Sequence, residues 1–159
     1  MNLSTSKNAG LPLAFQTERL QTLLSEIHQC CEDRMLFESH KFNLPQAELK
    51  CLMLFLGERY LTAKGIALKM DVAKSRVTLI IEGLIRKDLV QRVEDPKDGR
   101  VKLISLTPKG LRKTEEIEAL VKGVHEKILL QMKPSERKTV LSSLEFLRAC
   151  MEIVKAQLE

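Results

Sequence analysis

Tryptophan is absent from these 159 residues, tyrosine occurs once and phenylalanine five times. A core must therefore be built from Leu, Ile, Val and Met, and binding of unpaired bases by stacking on aromatic platforms is disfavoured. No run of about 18 apolar residues occurs, so no membrane-spanning helix and no membrane partner are expected. The N-terminal part offers only Lys7 and the short patch Leu-Pro-Leu-Ala-Phe, which does not make a signal peptide. A cytoplasmic, nucleoid-associated location follows as the expectation, and with it four cysteines as free thiols rather than a disulfide framework. Nucleophile elbows, phosphate loops and metal-ligand clusters are missing too, which speaks against an enzyme and against any cofactor.

What is present is apolar periodicity. At 44% apolar residues the chain can bury a genuine core, and its length suits one compact domain with room for a dimerisation part. Residues 1–12 are polar and read as an arm. From 14 to 39, Leu20, Leu23, Leu24, Ile27, Cys30, Cys31 and Met35 recur at steps of three and four, predicting a long helix with one buried stripe. Pro45 suits the first turn of a second, deeply buried helix that stops at Gly57. Thr62 is the expected N-cap of a short helix over 63–70, Asp71 takes the turn, and a further helix covers 74–87.

That last helix is amphipathic. Val77, Ile80, Ile81, Leu84 and Ile85 fall on one face, while Lys74, Ser75, Thr78 and Glu82 fall on the other, with Arg76 and Leu79 at the border. Residues 89–94 and 100–106 are β-rich runs joined by Asp-Pro-Lys-Asp-Gly, a tight-turn composition. Thr107 and Pro108 start another helix. Its stripe is Ile117, Leu120, Val121, Val124, Ile128 and Met132, ended by Pro134. A final helix carries a coiled-coil-like seam of Val140, Leu144, Leu147, Met151, Val154 and Leu158.

Helix, turn, helix and basic ribbon over 62–106 predict a mainly α fold with a small β-wing. It is a winged helix-turn-helix core flanked by long dimerisation helices. The expected division is 1–44 (arm and first dimerisation helix), 45–106 (DNA-binding domain) and 107–159 (C-terminal dimerisation helices). Charge agrees: between residues 61 and 112 stand twelve Lys/Arg against six Asp/Glu, whereas the rest of the chain holds fourteen against fifteen. The excess positive charge coincides with the groove-reading motif, as a double-stranded DNA partner requires.

Residues 66–111 resemble the MarR family of bacterial transcription regulators. The similar features are an Ile-Ala-Leu opening, a recognition helix ending in Leu-Ile-Arg-Lys-Asp-Leu-Val, the tip Arg92-x-Glu-Asp-Pro-Lys-Asp-Gly-Arg100, and Leu-Thr-Pro-Lys-Gly. Ala73 stands where such proteins usually carry a Ser or Thr cap, Asp88 where they often have Gly, and Lys97 where an Arg is common. The resemblance implies a homodimeric repressor on a pseudo-palindromic operator, with a small-molecule pocket often suited to anionic aromatics.

Arg76 is the candidate for bidentate contact with guanine, with Ser75 and Thr78 reaching bases or phosphate oxygens. Lys74 and Lys64 suit phosphates. Lys97 and Arg100 would carry the wing's contact, supported by Asp95, Asp98 and Gly99 at the turn. Cys30 and Cys31 are the candidate redox thiols of an oxidant-sensing alternative, and His28 with Cys31 and Glu32 a weaker zinc reading by analogy. The remaining alternatives are an architectural DNA binder, which shares the charge but needs no groove-reading helix, and a protein-partner module that has lost DNA.

Overall fold

These periodicities close into helices and a small sheet in the computed structural model, which describes residues 10–95, 98–99 and 102–158. The order is α1 (Leu13–Phe42), α2 (Gln46–Met53), β1 (Leu61–Thr62), α3 (Ala63–Met70), α4 (Lys74–Arg86), β2 (Val90–Glu94), β3 (Lys102–Leu106), α5 (Pro108–Leu130) and α6 (Pro134–Leu158). By contacts the chain divides into two compact units, Met1–Leu111 and Arg112–Glu159.

In the first unit the core is aliphatic, as the composition demanded. Leu49, Cys51 and Leu52 of α2, Ile66 of α3 and Val77, Ile80, Ile81 and Leu84 of α4 are buried together with Leu89, Val90 and Ile104. Helices α2, α3 and α4 pack on one another, and α3 and α4 lean on the sheet. The sheet is antiparallel in the order β1-β3-β2. Strand β1 pairs Leu61 with Ile104 and Thr62 with Leu103, while β2 runs against β3 from Val90–Leu106 to Glu94–Lys102. The two-residue β1 is too short for any periodicity to announce it.

Three expectations are corrected. The stripe of α1 is not buried in the chain: Leu20, Leu23, Ile27, Cys30 and Cys31 are exposed, and only Leu24 and Met35 are half-buried. Periodicity reports that a face needs cover, not what covers it. The seam of α6, expected to pair with a second copy, is likewise uncovered within the chain: Leu144, Met151, Val154 and Leu158 are exposed and no described residue is fully buried. Helix α2 ends at Met53, four residues before Gly57, because the following amides tighten to i−3 carbonyls: Leu54 to Cys51, Phe55 to Leu52, Leu56 to Met53. Pro45 is its capping residue rather than part of its first turn.

In the second unit, Thr114 and Ile117 of α5 are buried. Helix α5 ends at Leu130, where the Gln131 and Met132 amides tighten to i−3 carbonyls, and Pro134 opens α6, where the Lys133 amide donates to the Glu136 carboxylate at 2.7 Å. The Arg137 guanidinium closes the turn by donating to the carbonyls of Leu129 (2.8 Å) and Met132 (3.0 Å).

Candidate nucleic-acid interface

Local chemistry sets the helix-turn-helix. The Thr62 hydroxyl accepts from the Gly65 amide at 3.0 Å, capping α3 as its position predicts. Asp71 turns the chain in a left-handed conformation (φ 53°), and Val72, half-buried, donates to the Ala67 carbonyl to seal the turn. Helix α4 then starts at Ala73, which supplies no side-chain cap; Arg76 and Val77 donate to its carbonyl. A first turn without a capping oxygen keeps its helix-end charge for an outside anion.

Lys74, Ser75, Arg76 and Thr78 are all exposed, opposite the buried Val77, Ile80, Ile81 and Leu84. They do not point alike. Arg76 lies at one edge, lining a hollow with Gln46, Lys50 and Val72. The Thr78 hydroxyl donates back to the Lys74 carbonyl at 3.2 Å, which leaves its oxygen lone pairs to accept from outside the helix. Lys64 is exposed on α3 and shares a hollow with Leu68, Asp71 and Ala73.

Two features that fix α4 escaped the sequence reading. Glu48 of α2 is buried, and its oxygens stand 3.0 and 2.9 Å from the Lys87 ammonium at the end of α4; only the first contact has hydrogen-bond geometry. The carboxylate fits because residue 83 is glycine: a Cβ there would overlap its Oε1 and lie 3.1 Å from its Cδ. A glycine inside an amphipathic helix was the available signal of a close approach.

The second feature is a clasp behind the wing. Asp88 adopts φ 58°, the left-handed position that a glycine would otherwise favour, and its carbonyl accepts from the Thr107 hydroxyl at 2.7 Å. The Thr107 amide donates to Leu89 at 3.1 Å, and the Thr107 oxygen caps α5 by accepting from Gly110 at 2.9 Å. A Cβ on Gly110 would overlap the Leu89 carbonyl oxygen. Leu-Thr-Pro-Lys-Gly is thus a joint that ties the end of α4 to the start of α5.

At the wing, Glu94 and Lys102 pair across the strands at 2.6 Å, and that hydrogen bond holds the Glu94 carboxyl below its ordinary range. Lys97 and Arg100 lie outside the described residues. Asp95 is half-buried and Asp98 and Gly99 are exposed. Gly99 does not use a left-handed backbone; on either side of α4 that conformation falls to Asp71 and Asp88.

Cys30 and Cys31 are exposed, whereas Cys51 is fully buried. Burial first, and the neighbouring Glu48 second, push the Cys51 thiol up to about 12. Among the described residues no group of three His, Cys, Asp or Glu is placed to hold a metal ion, so His28, Cys31 and Glu32 do not converge.

Comparison with known proteins agrees with this geometry. Residues 51–110 match the family model described as a winged helix DNA-binding domain. The HTH-type transcriptional repressor MdtR of Bacillus subtilis is 33% identical over 110 residues, spanning 69% of this chain and 71% of MdtR. The structure of Streptococcus pneumoniae FabT in complex with DNA superposes with a TM-score of 0.74 at 20% identity, over 85% of this chain and 99% of that one. A mutant MarR from E. coli gives 0.69 at 20% identity, over 86% and 96%. Motif, fold and the relationship to MdtR converge: the chain belongs to the MarR family of winged helix-turn-helix transcription regulators.

Proposed function

We propose that this regulator is a repressor that binds a pseudo-palindromic operator as a homodimer, placing α4 of each copy in successive major grooves. The observation that carries the reading is the outer face of α4: a basic, uncapped, exposed first turn on a helix whose opposite face buries Val77, Ile80, Ile81 and Leu84. In this reading Arg76 and Ser75 meet base edges, Thr78 accepts from bases or water, and Lys64 and Lys74 hold phosphates. Lys97 and Arg100 carry the wing's contact, with Asp95, Asp98 and Gly99 as turn support.

Residues 45–106 form the DNA-binding part, and the helices over 1–44 and 107–159 form the dimer. Exposed apolar side chains support this: Leu20, Leu23 and Ile27 on α1, and Leu144, Met151 and Val154 on α6. Such stripes on a monomer are interaction surfaces. A two-fold partner also gives half-sites about 34 Å apart.

DNA affinity responds to a small-molecule or oxidant signal. A hollow of about 610 Å³ lined by Phe55, Glu58, Arg59, Tyr60, Leu106 and Leu111 combines apolar walls with the Arg59 cation, Glu58 being paired with Lys69 at 3.2 Å, and suits an anionic aromatic. Oxidation at Cys30 or Cys31 is the rival signal. Among the described residues no helix is long and apolar enough to cross a membrane, which fits a cytoplasmic protein.

Selection of bound DNA from a random pool tests the reading. Enrichment of a two-fold-symmetric site, with a dimer by analytical ultracentrifugation, is the expected result. A pool that stays random, or binding that competitor DNA abolishes at equal concentration, rejects sequence-specific repression in favour of an architectural role.

A further inference from the structure

Helix α4 turns about 100° per residue, so the direction opposite Val77, Ile80, Ile81 and Leu84 runs through Ser75, Leu79, Glu82 and Arg86. The centre of this outward stripe holds an aliphatic side chain: Leu79 is 63% exposed. A lone exposed leucine on a protein surface ordinarily carries no message. This one sits one turn beyond Ser75 on the helix that the fold presents to DNA, with Lys74, Arg76 and Arg86 around it, all exposed. The core face of α4 is complete without it.

We infer that Leu79 is a specificity-determining residue that reads the 5-methyl group of a thymine in the major groove, an inference that rests on the DNA-binding reading above. The thymine methyl is the one apolar group that a B-DNA major-groove edge displays, so an aliphatic side chain at the centre of a groove-facing stripe has that partner and no hydrogen-bonding one. Leu79 cannot serve a phosphate, which would strip water from an anion against a hydrocarbon. Glu82, next on the stripe, has the wrong sign for a phosphate and the right one for the amino group of cytosine. Both residues therefore set this stripe over bases, with Arg76 at one edge of it and Lys74 on the other side, nearer the backbone.

The experiment is a chemical and mutational cycle on the enriched operator. Each thymine is replaced singly by deoxyuridine, which removes the methyl and leaves the pairing edge intact. Affinities are measured for the unaltered protein, Leu79→Ala, Leu79→Met and Leu68→Ala. Leu68 is 84% exposed on α3, the helix preceding the reader, and loses the same atoms when replaced by alanine. The expected result is a loss of about threefold to fivefold at one thymine in each half-site for the unaltered protein, Leu79→Met and Leu68→Ala, the size of one buried methyl. With Leu79→Ala that loss is absent. If every deoxyuridine substitution costs Leu79→Ala as much as it costs the unaltered protein, the assignment is overturned while sequence-specific binding stands. If the unaltered protein enriches no site at all, the DNA-reading proposal falls and this inference falls with it. Circular dichroism of each variant confirms that the fold is kept.

Discussion

The clasp at Leu-Thr-Pro-Lys-Gly makes a demanding prediction for Gly110→Ala. A new Cβ would overlap the Leu89 carbonyl oxygen and approach its carbon to 2.8 Å and its Cα to 3.2 Å. All three are backbone atoms, so no rotamer change relieves the contact and β2 must move away from α5. Overpacking of this kind costs about 1–3 kcal/mol. The movement also loosens the Thr107–Leu89 and Thr107–Asp88 hydrogen bonds (3.1 and 2.7 Å), at roughly 0.5–1.5 kcal/mol each. Against this, alanine in a helix gains about 1 kcal/mol over glycine. The net expectation is a loss of about 1–5 kcal/mol, a fall in Tm of roughly 2–20 °C for a chain of this size. Thermal unfolding followed by circular dichroism at one fixed protein concentration reads it. Gly123→Ala in the same helix is the control, because a Cβ there meets nothing within 4 Å. That change should stabilise by about 0.5–1 kcal/mol. Equal Tm values for the two alanine variants would refute the clasp.

The other predictions concern buried charge, thiol chemistry and DNA readout. Lys87→Met leaves the Glu48 carboxylate buried without its cation, and should destabilise by about 1–3 kcal/mol once the partial exposure of Lys87 is allowed for. Glu48→Gln added to it should restore part of the loss in urea unfolding, and no restoration would argue against the pair. Because folding raises the Cys51 thiol from 9.0 to about 12, its contribution to stability is complete below pH 9 and lost as pH climbs from there towards 12. In the native protein at pH 8, a thiol reagent should spare Cys51 until denaturant is added; mass mapping that finds Cys51 modified as fast in the native as in the denatured protein would contradict its burial. Arg76→Ala should cost about 1–3 kcal/mol and relax preference at one base pair, whereas Lys74→Ala should weaken all sequences alike. An unchanged selected site with Arg76→Ala would remove guanine reading from that residue.

Much of the helix-turn-helix was legible because its signals are local. Thr62 and Thr107 cap the helices their positions predict, and Asp71 takes the left-handed turn assigned to it. The apolar face of α4 matches its buried residues Val77, Ile80, Ile81 and Leu84. What stayed hidden depends on distant partners. Glu48 lies 39 positions from Lys87, and no local pattern couples them. Strand β1 exists only because Leu61 and Thr62 meet Ile104 and Leu103. The stripe of α1 was visible as a pattern, yet its exposure was not, since a pattern is silent on whether its cover lies in the same chain. Leu79 looked like a border residue until the buried set defined which direction is outward.

The ion pairs around the DNA-binding unit change what its charge can deliver. Twelve Lys and Arg between residues 61 and 112 suggest a steep dependence of binding on salt. Several are already engaged: Lys69 with Glu58 at 3.2 Å, Lys87 with Glu48, Lys102 with Glu94 at 2.6 Å, and Lys109 with the Lys87 carbonyl at 2.8 Å. A cation held by a carboxylate releases few counterions when DNA arrives. Each phosphate neutralised contributes about 0.9 to the slope of log affinity against log salt. The slope therefore follows the uncommitted cations around α3 and α4 rather than all twelve, and DNA binding should outlast ionic strengths that the raw charge count would judge prohibitive.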